Sequence, residues 1–226
     1  MIDDKRSPKK PKQLRQIVFC DFDGTITVEE TFVGMLKHFA PELSAQLIPE
    51  MYARRLTLRE GVRQLLESIP SERYQEIIEF SKGKLMRPGL VELLDFLDTQ
   101  GVPFVVVSGG IRVMVETVMG DLAARAEAIY AVDLDAGGSY LKVFSEFEGD
   151  TELVSKMRVI ELYEADEWVA IGDSVTDLNM ARVAPVVFAR DRLAEYLDEE
   201  HKSYIRWNDF FDVIETLSPQ KLTTNN

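Results

Sequence analysis

Hydrophobic residues in this chain alternate between short continuous runs and longer stretches at helical spacing. Ile17, Val18 and Phe19 form a β-branched and aromatic run that predicts a strand leading into Asp21, Asp23 and Gly24. From residue 30 to about 80 the pattern changes. Phe32, Met35, Leu36 and Phe39 recur at helical spacing, Pro41 and Pro49 punctuate the next stretch, and Leu58, Val62, Leu65, Leu66 and Ile69 make an amphipathic stripe. Thr57, with Glu60 three residues later, resembles a capping box, and a further helix is predicted over residues 71–81. No strand signal interrupts this block.

Beyond Arg87-Pro88-Gly89, strands and helices alternate. A helix over residues 90–99 ends at Gly101, and residues 103–110 form a continuous apolar run of the kind buried on both faces of a parallel sheet. A helix over 111–119 comes next, then strands over 128–134 and 140–147 around the turn at 135–138. A helix is predicted over 151–164, a strand over 168–171, a helix over 178–183, a strand over 185–189, and helices over 191–200 and 208–217. The predicted fold is α/β: a doubly wound, mostly parallel sheet with an inserted all-helical cap. The expected domains are a mobile basic tail over residues 1–16, an α/β core over 17–29 and 87–226, and a helical cap over 30–86.

Composition narrows the functional classes. A formal charge of −13 argues against a nucleic-acid partner. The single cysteine, Cys20, excludes both an intrachain disulfide and a thiolate metal cluster, which fits a reducing compartment. No apolar run approaches the ~20 residues needed to cross a bilayer, and residues 1–16 lack the apolar segment of a secretory signal. No membrane partner and a cytoplasmic location are expected, with the chain a monomer or homodimer.

The chemically suggestive residues all fall at the carboxyl ends of predicted strands, where open α/β sheets place ligands. Asp21 and Asp23, two apart, would share a face if the chain stayed extended, and Gly24 lets it turn. Such a pair suits a nucleophile beside a proton donor at a magnesium ion; taken alone it more often marks a strand ending in an Asx turn. Ser108 and Gly109 end a second strand, and Asp173 ends a third.

Four segments occur in order: Asp21-Phe22-Asp23-Gly24-Thr25, Val107-Ser108-Gly109-Gly110, an isolated Lys156, and Gly172-Asp173-Ser174-Val175-Thr176-Asp177. Together they resemble the haloacid dehalogenase superfamily over residues 17–217, and the helical insertion resembles one of its cap types. The runs Leu56–Val62 and Val187–Leu193 are most similar to methionine-salvage hydroxy-keto-methylthiopentenyl phosphate phosphatases; phosphoserine phosphatases are similar but more distant. The resemblance implies a magnesium-dependent phosphomonoesterase acting on a small organic phosphate ester through an aspartyl-phosphate. In that scheme Asp21 is the nucleophile and Asp23 the acid and base. Ser108, Gly109 and Lys156 hold phosphate. Asp21, Asp173 and the Asp23 backbone carbonyl hold magnesium, and Asp177 positions the lysine. Glu30, at the position of an amine-binding acid in phosphoserine phosphatases, and Arg59 and Arg63 in the cap are specificity candidates. Glu29-Glu30 and Arg87-Pro88-Gly89 are hinge candidates. A phosphotransferase and a catalytically silent scaffold are the alternatives outside hydrolysis.

Overall fold

The computed structural model describes residues 14–218. Seven strands form one sheet in the order β4-β3-β2-β1-β5-β6-β7. They are β1 (Leu14–Cys20), β2 (Phe104–Ile111), β3 (Ala128–Asp135), β4 (Lys142–Phe144), β5 (Ala165–Gly172), β6 (Val186–Ala189) and β7 (Ile205–Arg206). All neighbours pair in parallel except β3 with the edge strand β4. The expected doubly wound α/β sheet is therefore present. β1 is central, and Ile17, Val18, Phe19 and Cys20 are each at most 1% exposed, as a strand covered on both faces requires. The chain leaves β1 toward β2 on one side and returns through β5 on the other. That reversal opens a crevice at the carboxyl ends of β1, β2 and β5.

Four α-helices make up the insertion that follows β1: α1 (Thr31–Phe39), α2 (Pro41–Tyr52), α3 (Leu58–Glu67) and α4 (Tyr74–Ser81). Pro41 opens α2, where its missing N–H is harmless, and Pro49 lies inside α2 rather than ending it. Thr57 Oγ1 accepts the Glu60 N–H at 3.1 Å, as the capping box predicts. The Glu60 carboxylate closes the motif differently: it takes the Thr57 hydroxyl at 2.7 Å rather than a backbone N–H. Two linkers join these helices to the sheet, and they run antiparallel to each other. Thr27 bridges Met86, Val28 N–H donates to Leu85 O at 3.0 Å, and Arg87 N–H donates to Ile26 O at 2.7 Å.

The remaining helices cover the sheet: α5 (Leu90–Gln100), α6 (Arg112–Met119), α7 (Lys156–Ile160), α8 (Leu178–Val183), α9 (Asp191–Glu199) and α10 (Phe210–Leu217). Several boundaries differ from expectation for tertiary reasons. β1 begins at Leu14, because Leu14 and Gln16 pair with Ala165 and Glu167, so residues 14–16 are strand rather than tail. Residues 1–13 of the expected tail lie outside the described residues. The same pairing draws 165–167 into β5, and α7 is only 156–160 of the predicted 151–164. Residues 151–155 instead fold back on the preceding loop, with Gly149 N–H donating to Glu152 O at 2.9 Å and Ser155 N–H to Phe147 O at 2.7 Å. β4 is 142–144 of the predicted 140–147, since Tyr140 bridges Pro70 of the helical insertion instead.

Candidate active site

Asp21 directly follows β1 and is 4% exposed. Its backbone N–H donates to Ile171 O at 2.9 Å, which carries the β1–β5 pairing one residue past the end of the strand. The chain then turns at Gly24, whose φ of +87° only glycine adopts readily. A Cβ at Gly24 would sit 2.5 Å from Asp173 Oδ2, so the turn packs directly against that carboxylate. Thr25 Oγ1 donates to Asp173 Oδ1 at 2.8 Å.

Asp23 occupies the N-terminus of α1. Its Oδ1 accepts from the Thr31 N–H at 2.5 Å, the Thr31 hydroxyl at 2.5 Å and the Phe32 N–H at 3.1 Å, while Oδ2 also takes the Phe32 N–H at 3.1 Å. A carboxylate eight residues upstream thus caps the first helix of the insertion. Burial pushes the Asp23 carboxyl up to about 6, against the downward pull of these hydrogen bonds.

Lys156, the first residue of α7, is 2% exposed. Its ammonium donates to Asp21 Oδ1 and, at 2.5 Å, to Asp177 Oδ1. Burial pulls the ammonium's pKa down, and the two carboxylates more than reverse that, so Lys156 stays charged. Asp177 Oδ2 accepts from the backbone N–H groups of Asp173 at 3.1 Å and Ser174 at 3.0 Å. Asp177 therefore ties Lys156 to the end of β5. Gly172 is required for this packing, because a Cβ there would meet Asp177 Cγ at 2.5 Å.

The Asp21, Asp173 and Asp177 carboxylates offer oxygen atoms within 4.8 Å of one another. Burial, then Asp177, raises Asp21 above the usual carboxylate range, and the same two causes raise Asp173 to about 7. Three carboxylates face one ammonium, so two negative charges remain uncompensated when all are ionised. A hard divalent cation held by oxygen ligands fits that deficit and that donor set. Asp177 already engages both its oxygens, which leaves Asp21 and Asp173 as the carboxylates best placed to hold a cation.

Ser108 is fully buried near the end of β2, and its Oγ accepts the Gly110 N–H at 3.0 Å. That bond leaves the hydroxyl proton available to a ligand. Gly109 is exposed, and Gly110 packs against Phe32, where a Cβ would meet the ring at 3.3 Å.

Residues 18–182 match the family of haloacid dehalogenase-like hydrolases. The chain belongs to that family. The resemblance carried by the four ordered segments is thereby borne out. This hydrolase is 56% identical over 206 residues to a Microcystis aeruginosa protein named 2-hydroxy-3-keto-5-methylthiopentenyl-1-phosphate phosphatase, covering 90% of this chain and 98% of that one. It is 33% identical over 204 residues to a Bacillus cereus (strain AH187) protein of the same name, covering 87% and 93%. Among solved structures, a phospho-aspartyl intermediate analogue of phosphoserine phosphatase superposes with a TM-score of 0.65 at 21% identity, covering 92% of this chain and all of that one. That likeness bears on fold alone.

The specificity candidates separate in the structure. Glu30 is exposed and lines a cavity of about 230 Å³ with Gly24, Val28, Asp173, Ser174, Asp191 and Arg192. Arg59 and Arg63 are engaged elsewhere. Arg63 donates to Val143 O at 3.1 Å and Glu148 Oε2 at 2.6 Å, and Arg59 donates to Gly149 O at 3.4 Å. Both guanidiniums thus fasten α3 to the segment around β4. The sequence gives Thr25 and Thr31 no role of their own and Arg87 only that of a hinge candidate, although each touches a site residue or the turn that carries one. An Asp capping a helix eight residues downstream leaves no fixed-spacing signal.

Proposed function

We propose that this hydrolase is a magnesium-dependent phosphomonoesterase whose substrate is 2-hydroxy-3-keto-5-methylthiopentenyl-1-phosphate, acting in the cytoplasm on a soluble metabolite. The observation that carries the chemistry is the buried grouping of Asp21, Asp173 and Asp177 around Lys156 at the strand ends. The substrate assignment is supported by the 56% identity to the Microcystis aeruginosa phosphatase across nearly the whole of both chains.

In this reading Asp21 attacks phosphorus, forming an O–P bond to its carboxylate while the P–O bond to the substrate alcohol breaks. Protonated Asp23 delivers its proton to the departing oxygen, and the resulting carboxylate then takes a proton from the water that displaces Asp21. A pKa of about 6 keeps both forms of Asp23 accessible near neutrality. The Ser108 hydroxyl and the Gly109 amide hold phosphoryl oxygens, and Lys156 balances charge on the nucleophile. The Asp21 and Asp173 carboxylates and the Asp23 backbone carbonyl would hold magnesium, which would supply charge neutralisation between a carboxylate and a phosphate dianion. Asp177 holds Lys156 and the end of β5 in place. The helical insertion, residues 30–86, acts as the cap.

Glu30 at the rim of the cavity favours a second reading, an amine-bearing substrate such as phosphoserine. Steady-state kinetics of the purified protein on both phosphates, with and without magnesium, test the choice. Higher kcat/KM for the methylthiopentenyl phosphate, abolished by chelation, is expected. Preferential phosphoserine turnover that falls in Glu30→Gln would overturn the assignment.

A further inference from the structure

Arg87 joins the inserted helices back to the α/β core. With Lys156 it is one of two buried basic side chains among the described residues, at 7% and 2% exposed. Unlike Lys156, it has no carboxylate at ion-pair distance among those residues. Its partners are carbonyl oxygens. Nε donates to Thr25 O at 2.9 Å, Nη2 to Gly24 O at 2.6 Å and Thr27 O at 3.3 Å, and Nη1 to Asn208 O at 3.2 Å. The Arg87 backbone N–H takes Ile26 O at 2.7 Å. One residue thus accounts for all four consecutive carbonyls from Gly24 to Thr27. The Trp207 ring backs the guanidinium, with the ring centroid 5.3 Å from Cζ.

Burying a guanidinium with no carboxylate in contact costs free energy, and burial lowers the Arg87 pKa, with the more distant Asp173 and Asp191 charges pulling it back in part. The return is geometric. The turn it holds contains Gly24, which packs on Asp173, and Thr25, whose hydroxyl binds Asp173. The same turn follows Asp23 directly. A planar fork spreads its donors over three nitrogens in fixed directions; an ammonium has its three rotatable donors on a single atom and fixes the spacing of carbonyls less well.

We propose that Arg87 is a positioning residue for catalysis: it fixes the Gly24–Thr27 turn, and through it the relative placement of Asp23 and Asp173, from the point where the helical insertion rejoins the core. The choice of substrate in the test rests on the phosphomonoesterase reading, but one arm needs no turnover.

Arg87→Met and Arg87→Lys in the full chain are compared with wild type by p-nitrophenyl phosphate kinetics with magnesium, and by hydrogen exchange on the metal-free proteins. In Arg87→Met, kcat should fall roughly 10- to 100-fold with KM nearly unchanged, the signature of misplacement rather than lost binding. Exchange should quicken at residues 24–28 while β1 and β2 stay protected, with Arg87→Lys intermediate in both. Wild-type kcat in Arg87→Met, or faster exchange spread evenly over β1, β2 and β5, overturns the proposal. Should Arg87→Met fail to fold, the same two readouts on Arg87→Lys decide. If wild type leaves p-nitrophenyl phosphate intact, the kinetic arm uses the methylthiopentenyl phosphate instead; should neither ester turn over, the phosphatase reading fails and the exchange pattern alone decides the role of Arg87.

Discussion

The ammonium of Lys156 donates to the carboxylate of Asp21, 135 residues earlier in the chain, with both side chains buried. A buried pair of this kind is weak evidence for stability, because desolvating both charges offsets much of their attraction. Its value lies in chemistry. The pair keeps a fixed cation beside a carboxylate that must approach a phosphate dianion.

The metal-free protein should lose stability as pH rises from about 4 to about 7. Asp23 and Asp173 have folded-state values of about 6 and about 7, above the ordinary 3.8, so the folded chain binds protons more tightly across that window. Their stabilising protons are fully present below the unfolded value and are lost as pH climbs through the folded ones. The Asp23 shift alone corresponds to about 3 kcal/mol. Urea denaturation in chelator across this range checks the slope, and magnesium should flatten it. A metal-free stability that increases between about pH 5 and about pH 7 would contradict these assignments.

Thr31→Val removes the hydroxyl that donates to Asp23 Oδ1. That hydrogen bond lowers the Asp23 pKa, so the variant's carboxyl should titrate higher. Asp23 must be protonated to serve an alkoxide leaving group, and the basic limb of the kcat–pH profile should therefore move upward by up to about one unit. An unmoved or downward-shifted limb would separate Asp23 from the acid role.

Gly172→Ala places a methyl group 2.5 Å from Asp177 Cγ. Asp177 must then give way, loosening its hold on Lys156 and on the Asp173 and Ser174 amides. A stability loss of about 1–3 kcal/mol and a marked fall in kcat are expected, read by thermal unfolding and steady-state kinetics. Retention of wild-type kcat would show that Asp177 does not need this position.

Arg63→Ala tests a residue that sequence offered as a substrate reader. Its ion pair with Glu148 is about one-third exposed, so its loss should cost only about 0.5–1 kcal/mol. KM for the methylthiopentenyl phosphate should be unchanged. A roughly tenfold rise in KM with kcat intact would return Arg63 to the binding site.

Much of the site was legible because strand ends are. Ile17 to Phe19 and residues 103–107 are apolar runs that break into acidic or small residues, and sheet topology brings such breaks together. Contacts that depend on packing were not legible. Arg87 read as a possible hinge beside Pro88, yet its fork is spent on the turn after Asp23. Thr31 carried no signal of its own, since its contact with Asp23 spans eight residues. Arg59 and Arg63 face β4 because α3 lies against it, an arrangement that helical periodicity does not specify. β7 is two residues long, too short to show any period.

In the proposed mechanism Asp21 is transiently phosphorylated. Enzyme quenched during turnover of substrate and reduced with borohydride converts an acyl phosphate at an aspartate to homoserine, which peptide mass spectrometry locates. Homoserine is expected at position 21, dependent on both substrate and magnesium and absent from Asp21→Asn. Modification at another residue, or full turnover by Asp21→Asn, would contradict it.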